Sequence, residues 1–125
     1  ETLAVATLVY GGVLDRHPGL DICFSHGGGA TALLAGRMAK GARKRPWSPP
    51  ALRAEGAFEA RLRRLWFDTH IDHPQVLPLL AAIVGDDHLV YGTNFSGWDA
   101  PDVQEGGPAP VAPALAVNAR RLLRA

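Results

Sequence analysis

The chain has 125 residues, 47% of them hydrophobic, with 13 basic and 12 acidic side chains and a net charge of +1. That size suits one domain with a real core, and the small net charge excludes a general electrostatic pull toward nucleic acid. No apolar run approaches the ~20 residues that span a bilayer, so no membrane association is expected. The single cysteine excludes an internal disulfide framework and fits a reducing, cytoplasmic setting.

The chain opens on Glu1 with no initiator methionine, and a fragment of a longer protein is expected. Thr2 to Leu14 is apolar nearly all round, so it reads as a helix packed on two sides, with Thr2 as its cap. Gly11-Gly12 loosens it, and Asp15-Arg16-His17-Pro18-Gly19 ends it, with His17 as a solvated turn residue. Asp21 to His26 follows as a strand. Alternation puts Ile22, Phe24 and His26 on one face and Cys23, read as a buried thiol, on the other with Ser25. Gly27-Gly28-Gly29 then turns the backbone into a helix over Ala30 to Lys40, with Leu33, Leu34, Arg37 and Met38 at helical spacings.

Between Arg37 and Arg64 the character changes, because nine of the 13 basic residues lie there against only Glu55 and Glu59. Such a block is either a solvated face or a recognition segment for an anionic substrate or partner subunit, with Trp47 as an aromatic anchor. Leu65 to His70 is the second strand, with Trp66, Asp68 and His70 on one face. A helix over Gln75 to Val84 closes at Gly85, and His88 to Asn94 makes the third strand. There Gly92 removes bulk below Asn94, as expected where a ligand approaches closely. Strand, helix and strand with short connections predict parallel βα units. A Gly/Pro-rich connection from Pro101 to Pro110 leads to a last helix over Ala109 to Ala125.

The three strands thus end in His26, in Asp68 with His70, and in Thr93-Asn94. Imidazole, carboxylate and amide groups at the carboxyl ends of parallel strands suit a divalent metal such as zinc, manganese or iron. His70 and His73 lie near the same rim as candidate ligands or proton carriers, and Asp68 can equally be a cap or an ion-pair partner. Alternatively, the His26-Gly27-Gly28-Gly29 turn can offer backbone N–H groups to an anion, but the hydrolase form of that arrangement needs a GxSxG elbow, which is absent.

Taken together, Gly12-Val13-Leu14-Asp15-Arg16-His17-Pro18, Phe24-Ser25-His26-Gly27-Gly28-Gly29, Gly36-Arg37, Phe67-Asp68-Thr69, Val90-Tyr91-Gly92-Thr93-Asn94-Phe95 and Asn118-Ala119-Arg120-Arg121-Leu122 resemble the carboxyl-terminal part of the amidohydrolase-2 family, in its aminocarboxymuconate-semialdehyde decarboxylase-like branch. The resemblance implies an α/β fold, the carboxyl-terminal βα units of a partial (β/α)8 TIM barrel. It implies a metal-dependent hydrolase or decarboxylase acting on a small carboxylate-bearing substrate, with zinc as the expected metal and a homo-oligomer or the remainder of a longer chain as partner. His26 matches the family's proton carrier or water activator, and Arg37 an arginine that reaches a substrate carboxylate across a dimer interface. Asn94 stands where the family has an aspartate that binds metal and exchanges protons, and an amide cannot be a base. Asn94 and Asp68 are the expected metal-side residues, unless Asp99 supplies the missing charge. The family's His-x-His pair is absent, so the second reading is a non-catalytic fragment or degenerate homologue acting in binding or assembly.

Overall fold

The computed structural model describes residues 1–99 and 112–125. The first apolar segment is two helices, α1 (Thr2–Tyr10) and α2 (Val13–Arg16), because Gly12 turns left-handed at φ 65° between them. It packs on one side, not two: Val5 and Val9 are buried, while Leu3 is 83% exposed. Nor does the Thr2 side chain cap α1. Its hydroxyl instead donates to the Gly28 carbonyl at 3.3 Å and accepts from the Ala30 N–H at 2.9 Å, pinning α1 to the glycine turn.

The strands are shorter than their apolar runs: β1 (Cys23–Phe24), β2 (Trp66–Asp68) and β3 (Leu89–Val90) form one parallel sheet in the order β1-β2-β3. The α/β expectation with parallel strands therefore holds for the described residues. Phe24 pairs with Phe67 and Phe67 with Leu89, so these three share a face, and the two phenyl rings stack 5.9 Å apart. Against that face lie α3 (Thr31–Lys44), α4 (Ala57–Leu62) and α5 (Val76–Val84). Helix α3 buries Ala32, Ala35, Ala39 and Ala42, small residues that let it approach closely, and Phe58, Leu62, Leu80 and Val84 complete the core. Burying a side chain the size of Phe67 or Leu80 contributes about 1.5–3 kcal/mol. Cys23 is exposed, contrary to the expected buried thiol, because alternation turns it away from this core.

Two departures concern the basic segment. Helix α3 runs on to Lys44, beyond the expected Lys40, and α4 went unrecognised because its six residues are too short for helical periodicity to show. Five of the nine basic side chains are internal fasteners. Arg53 holds the Pro46 and Ser48 carbonyls, Arg61 and Arg64 bind Asp15, Arg63 binds the Ile83 carbonyl, and Arg43 pairs with Glu59.

The last helix, α6 (Pro113–Leu123), crosses the amino ends of the strands. Its expected start at Ala109, and the connection before it, lie outside the described residues. The buried Asn118 amide donates at 2.8 Å to both the Asp86 and Leu89 carbonyls, and Arg121 lies over the Trp66 ring at 5.4 Å. Arg124, just past α6, donates to the Gly19 carbonyl at 2.7 Å and to the Asp21 carboxylate at 3.0 Å. Hydrogen bonds from Arg124 and then from the Trp66 indole hold Asp21 below the usual carboxylate pKa.

Two glycines separate turn strain from helix entropy. Gly28 has φ 74°, and a Cβ there would meet the Phe67 ring at 2.6 Å. We expect Gly28→Ala to destabilise by about 2–4 kcal/mol, from left-handed strain plus overpacking. Gly36, inside α3, has open space around it, so Gly36→Ala should stabilise by about 0.5–1 kcal/mol. Urea denaturation of the two variants checks both signs.

Candidate active site at the carboxyl ends of the strands

After Ser25 the chain leaves the extended form, and His26, Gly27, Gly28 and Gly29 all take positive φ, from 51° to 74°. His26 is therefore the first residue of a left-handed turn, not the end of the strand. A positive φ is uncommon outside glycine, and such residues persist where the surroundings over-determine them. The constraints here are explicit. The Gly27 N–H donates to Asp68 Oδ1 at 3.1 Å, Gly28 N–H to the Ser25 carbonyl and Gly29 N–H to the His26 carbonyl, both at 2.9 Å, while Thr31 Oγ1 donates to the Gly28 carbonyl at 2.6 Å. With the Ala30 N–H held by Thr2, the N–H groups of Gly27 to Ala30 are all spent internally. Those four are not free to surround an anion, against the alternative reading of this turn.

Asp68, at the end of β2, is the link between loops. Its Oδ1 also accepts the His70 N–H at 3.2 Å. A Cβ on Gly92 would meet the Asp68 side chain within 2.6–2.7 Å. Gly92 thus clears space for Asp68, which corrects the expectation that it clears space for a ligand beneath Asn94.

Beyond β3, Asn94 (φ 48°) and Ser96 (φ 65°) curl the chain, and the Gly97 N–H closes the turn on the Asn94 carbonyl at 2.7 Å. The turn brings Asp99 back to the site. The Asn94 amide donates to Asp99 Oδ1, and His70 Nε2 lies 3.1 Å from Asp99 Oδ2. The hydrogen bonds from His70 and then Asn94 hold the Asp99 carboxyl below its usual range. His70 is buried, its side chain only 8% exposed, whereas that of His26 is 40% exposed. The two imidazoles meet edge to face with centroids 5.2 Å apart, and donor atoms of His26, His70 and Asp99 lie within 4.8 Å of one another. Imidazole and carboxylate donors in such a cluster fit a zinc-like divalent metal.

The structure therefore gathers His26, His70, Asn94 and Asp99, with Asp68 beneath them as an anchor of the backbone. His73 stays outside, exposed, accepting the Gln75 N–H. The His70–Asp99 pair was not recognised as a unit. Its signal was the Asn94-Phe95-Ser96-Gly97 sequence, whose asparagine and glycine favour a tight turn that returns the next residues to the strand ends.

Arg37 and Trp47 lie apart from this cluster, in an open groove of about 700 Å³ along α1 and α3. Trp47, 63% exposed, stands edge-on to Tyr10, whose hydroxyl donates to the Met38 carbonyl at 2.6 Å. Arg37, Lys40, Lys44 and Arg45 line the groove, and none makes a salt bridge or side-chain hydrogen bond among the described residues. The basic segment thus divides into internal fasteners, which neither the solvated-face nor the recognition reading foresaw, and cations that line the groove.

The family model for amidohydrolases matches residues 1–124. The chain belongs to the amidohydrolase family. Two curated relatives of this amidohydrolase chain are both named 2-amino-3-carboxymuconate-6-semialdehyde decarboxylase. One, from Caenorhabditis elegans, is 35% identical over 92 residues, covering 74% of this chain and 23% of the relative. The other, from Dictyostelium discoideum, is 29% identical over 93 residues, covering 74% and 26%. The chain thus spans about a quarter of the length of the relatives it matches. No described helix is long and apolar enough to cross a membrane.

Cys23 gives this face a chemical test. Partial desolvation of the thiol, although the residue as a whole is exposed, followed by the Asp68 carboxylate, pushes its pKa up to about 11. The thiolate is the reactive form, so at pH 7.5 iodoacetamide should label Cys23 about 300-fold more slowly than a free cysteine of pKa ~8.5. Asp68→Asn removes a charge that disfavours the thiolate and should speed labelling. Mass spectrometry of the labelled peptide measures both rates.

Proposed function

We propose that this chain forms the proton-transfer part of a metal-dependent hydrolase or decarboxylase active site, acting on a small carboxylate-bearing substrate. The observation that carries the reading is the convergence of His26, His70 and Asp99 within 4.8 Å at the carboxyl ends of parallel strands, the end at which barrel enzymes do their chemistry. The family membership and the decarboxylase names of two relatives support it. In this reading the sheet is the carboxyl-terminal part of a (β/α)8 barrel completed by chain outside this sequence.

His26 is the proton carrier. Its half-exposed ring and its freedom from the hydrogen bonds that tie His70 to Asp99 leave it able to meet a substrate. For decarboxylation, the electron pair of the breaking carbon–carbon bond passes to the substrate carbon as carbon dioxide leaves, and His26 in its protonated form delivers a proton to that carbon. For hydrolysis, neutral His26 takes a proton from the attacking water. A bound zinc supplies Lewis-acid polarisation of a substrate oxygen or activation of water. Among the residues expected beside the metal, Asp68 has Oδ1 committed to two backbone N–H groups, and the Asn94 amide is committed to Asp99.

Arg37 and Trp47 serve substrate binding in this proposal from a neighbouring copy in a homo-oligomer, because their groove does not include the His26 cluster of their own chain. The same four cations, without ion-pair partners among the described residues, favour the second reading, a chain used in binding or assembly. Turnover separates the two. In the protein carrying this sequence, His26→Ala should lower the rate of substrate decarboxylation or hydrolysis by about 10²- to 10⁴-fold. Near-full turnover in His26→Ala with metal content unchanged would overturn the role given to His26, and absence of turnover in the parent would leave the binding reading in its place.

A further inference from the structure

The three donors at the strand ends are not equivalent, and their differences divide the work between them. His70 Nε2 and Asp99 Oδ2 face each other at 3.1 Å with both side chains largely shielded. Two donors of a tetrahedral ion with bonds of ~2.0–2.1 Å sit about 3.3 Å apart, so this pair needs little movement to take a cation in place of the proton they share. His26 is held differently. Its Nδ1 faces Glu1 Oε1 at 3.4 Å, its ring meets His70 only edge-on, and it makes no hydrogen bond with either member of the pair. Asn94 is committed in a third way, since its NH2 donates to Asp99 Oδ1 while the turn it begins fixes where Asp99 lies.

We propose that His70 and Asp99 are the cation-binding pair of this chain, that Asn94 is a positioning residue acting through Asp99, and that His26 stays unligated beside the ion. Asp99 thereby supplies the negative charge that an amide at position 94 cannot. The turn is built for this arrangement: a Cβ on Gly97 would collide with the Asn94 side chain. Two donors make a partial site, since catalytic zinc usually has three protein ligands. Isolated chain should therefore bind weakly but in a single saturable step, with further ligands supplied from outside this stretch. The inference rests on the metal-dependent reading above, and its test measures cation binding without turnover, so the two can fail separately.

The test titrates the chain with Co(II) and Zn(II), following visible absorption for the first and heat for the second. Saturable one-to-one binding is expected, with Asp99→Asn and His70→Gln losing most of it. Asn94→Ala should weaken binding by about 10-fold, as loss of an outer partner of a ligand typically does. On the Asp99→Asn background, Asn94→Ala should have no further effect, because a residue that acts through Asp99 has nothing left to position. His26→Gln should leave the affinity where it was. Circular dichroism checks each variant for fold, and since Asp99→Asn and His70→Gln break the pair from opposite sides, a folding defect in one leaves the other to decide. Absence of saturable binding, wild-type affinity in both Asp99→Asn and His70→Gln, a loss in His26→Gln as large as in His70→Gln, or additive losses at Asn94 and Asp99 would each overturn the proposal.

Discussion

One carboxylate oxygen sets the geometry of the strand ends. Asp68 Oδ1 takes the N–H of Gly27 from one loop and the N–H of His70 from the next, and Gly92 on the third strand is bare where Asp68 needs room. The positions of His26 and His70 both follow from it, since each ring hangs from a backbone segment that Asp68 holds or adjoins. Hydrogen bonds to an ionised acceptor are among the stronger ones in a protein. A side chain at position 68 that lacks this oxygen would release two loops at once. This is why Asp68 belongs to the site even though it is not one of the three clustered donors.

The basic segment shows how one stretch of like charge can hold two unrelated roles. Arg53, Arg61, Arg63 and Arg64 reach carbonyls or Asp15 from α4 and the connections around it, and they serve as struts for a region rich in proline. Arg37, Lys40, Lys44 and Arg45 face the other way, into the groove beside Tyr10 and Trp47. Charge counting along the chain could not separate them. The division depends on which helix face each residue occupies and on where the neighbouring carbonyls end up.

Much of the fold was legible because apolar runs and glycine punctuation say where strands and helices lie. Parallel pairing followed from strand–helix–strand order, and Gly85 closed α5 as its position implied. The errors have specific causes. Gly11-Gly12 split a helix that hydrophobicity alone made continuous, and Cys23 sat on the face without a helical cover. At the site, the motif histidine was visible at once, whereas the His70–Asp99 pair was not, because 29 residues separate its members and only a turn built on Asn94 and Gly97 reunites them. Residue identity announces chemistry locally; convergence is a property of the backbone path.

Helix α6 carries a consequence for how the molecule is made. Its Asn118, with Arg121 and Arg124, seals the amino ends of all three strands through contacts with segments up to 105 residues earlier. During synthesis at about 5–20 residues per second, the loops bearing His26, His70 and Asp99 leave the ribosome before the helix that fastens the opposite end of the sheet. The far end of the sheet therefore stays unlatched for about a second or more after those loops have emerged. In that interval Trp66 lacks its guanidinium cover and the Leu89 carbonyl lacks its amide partner, and a chaperone that recognises exposed strand ends would have its opportunity there.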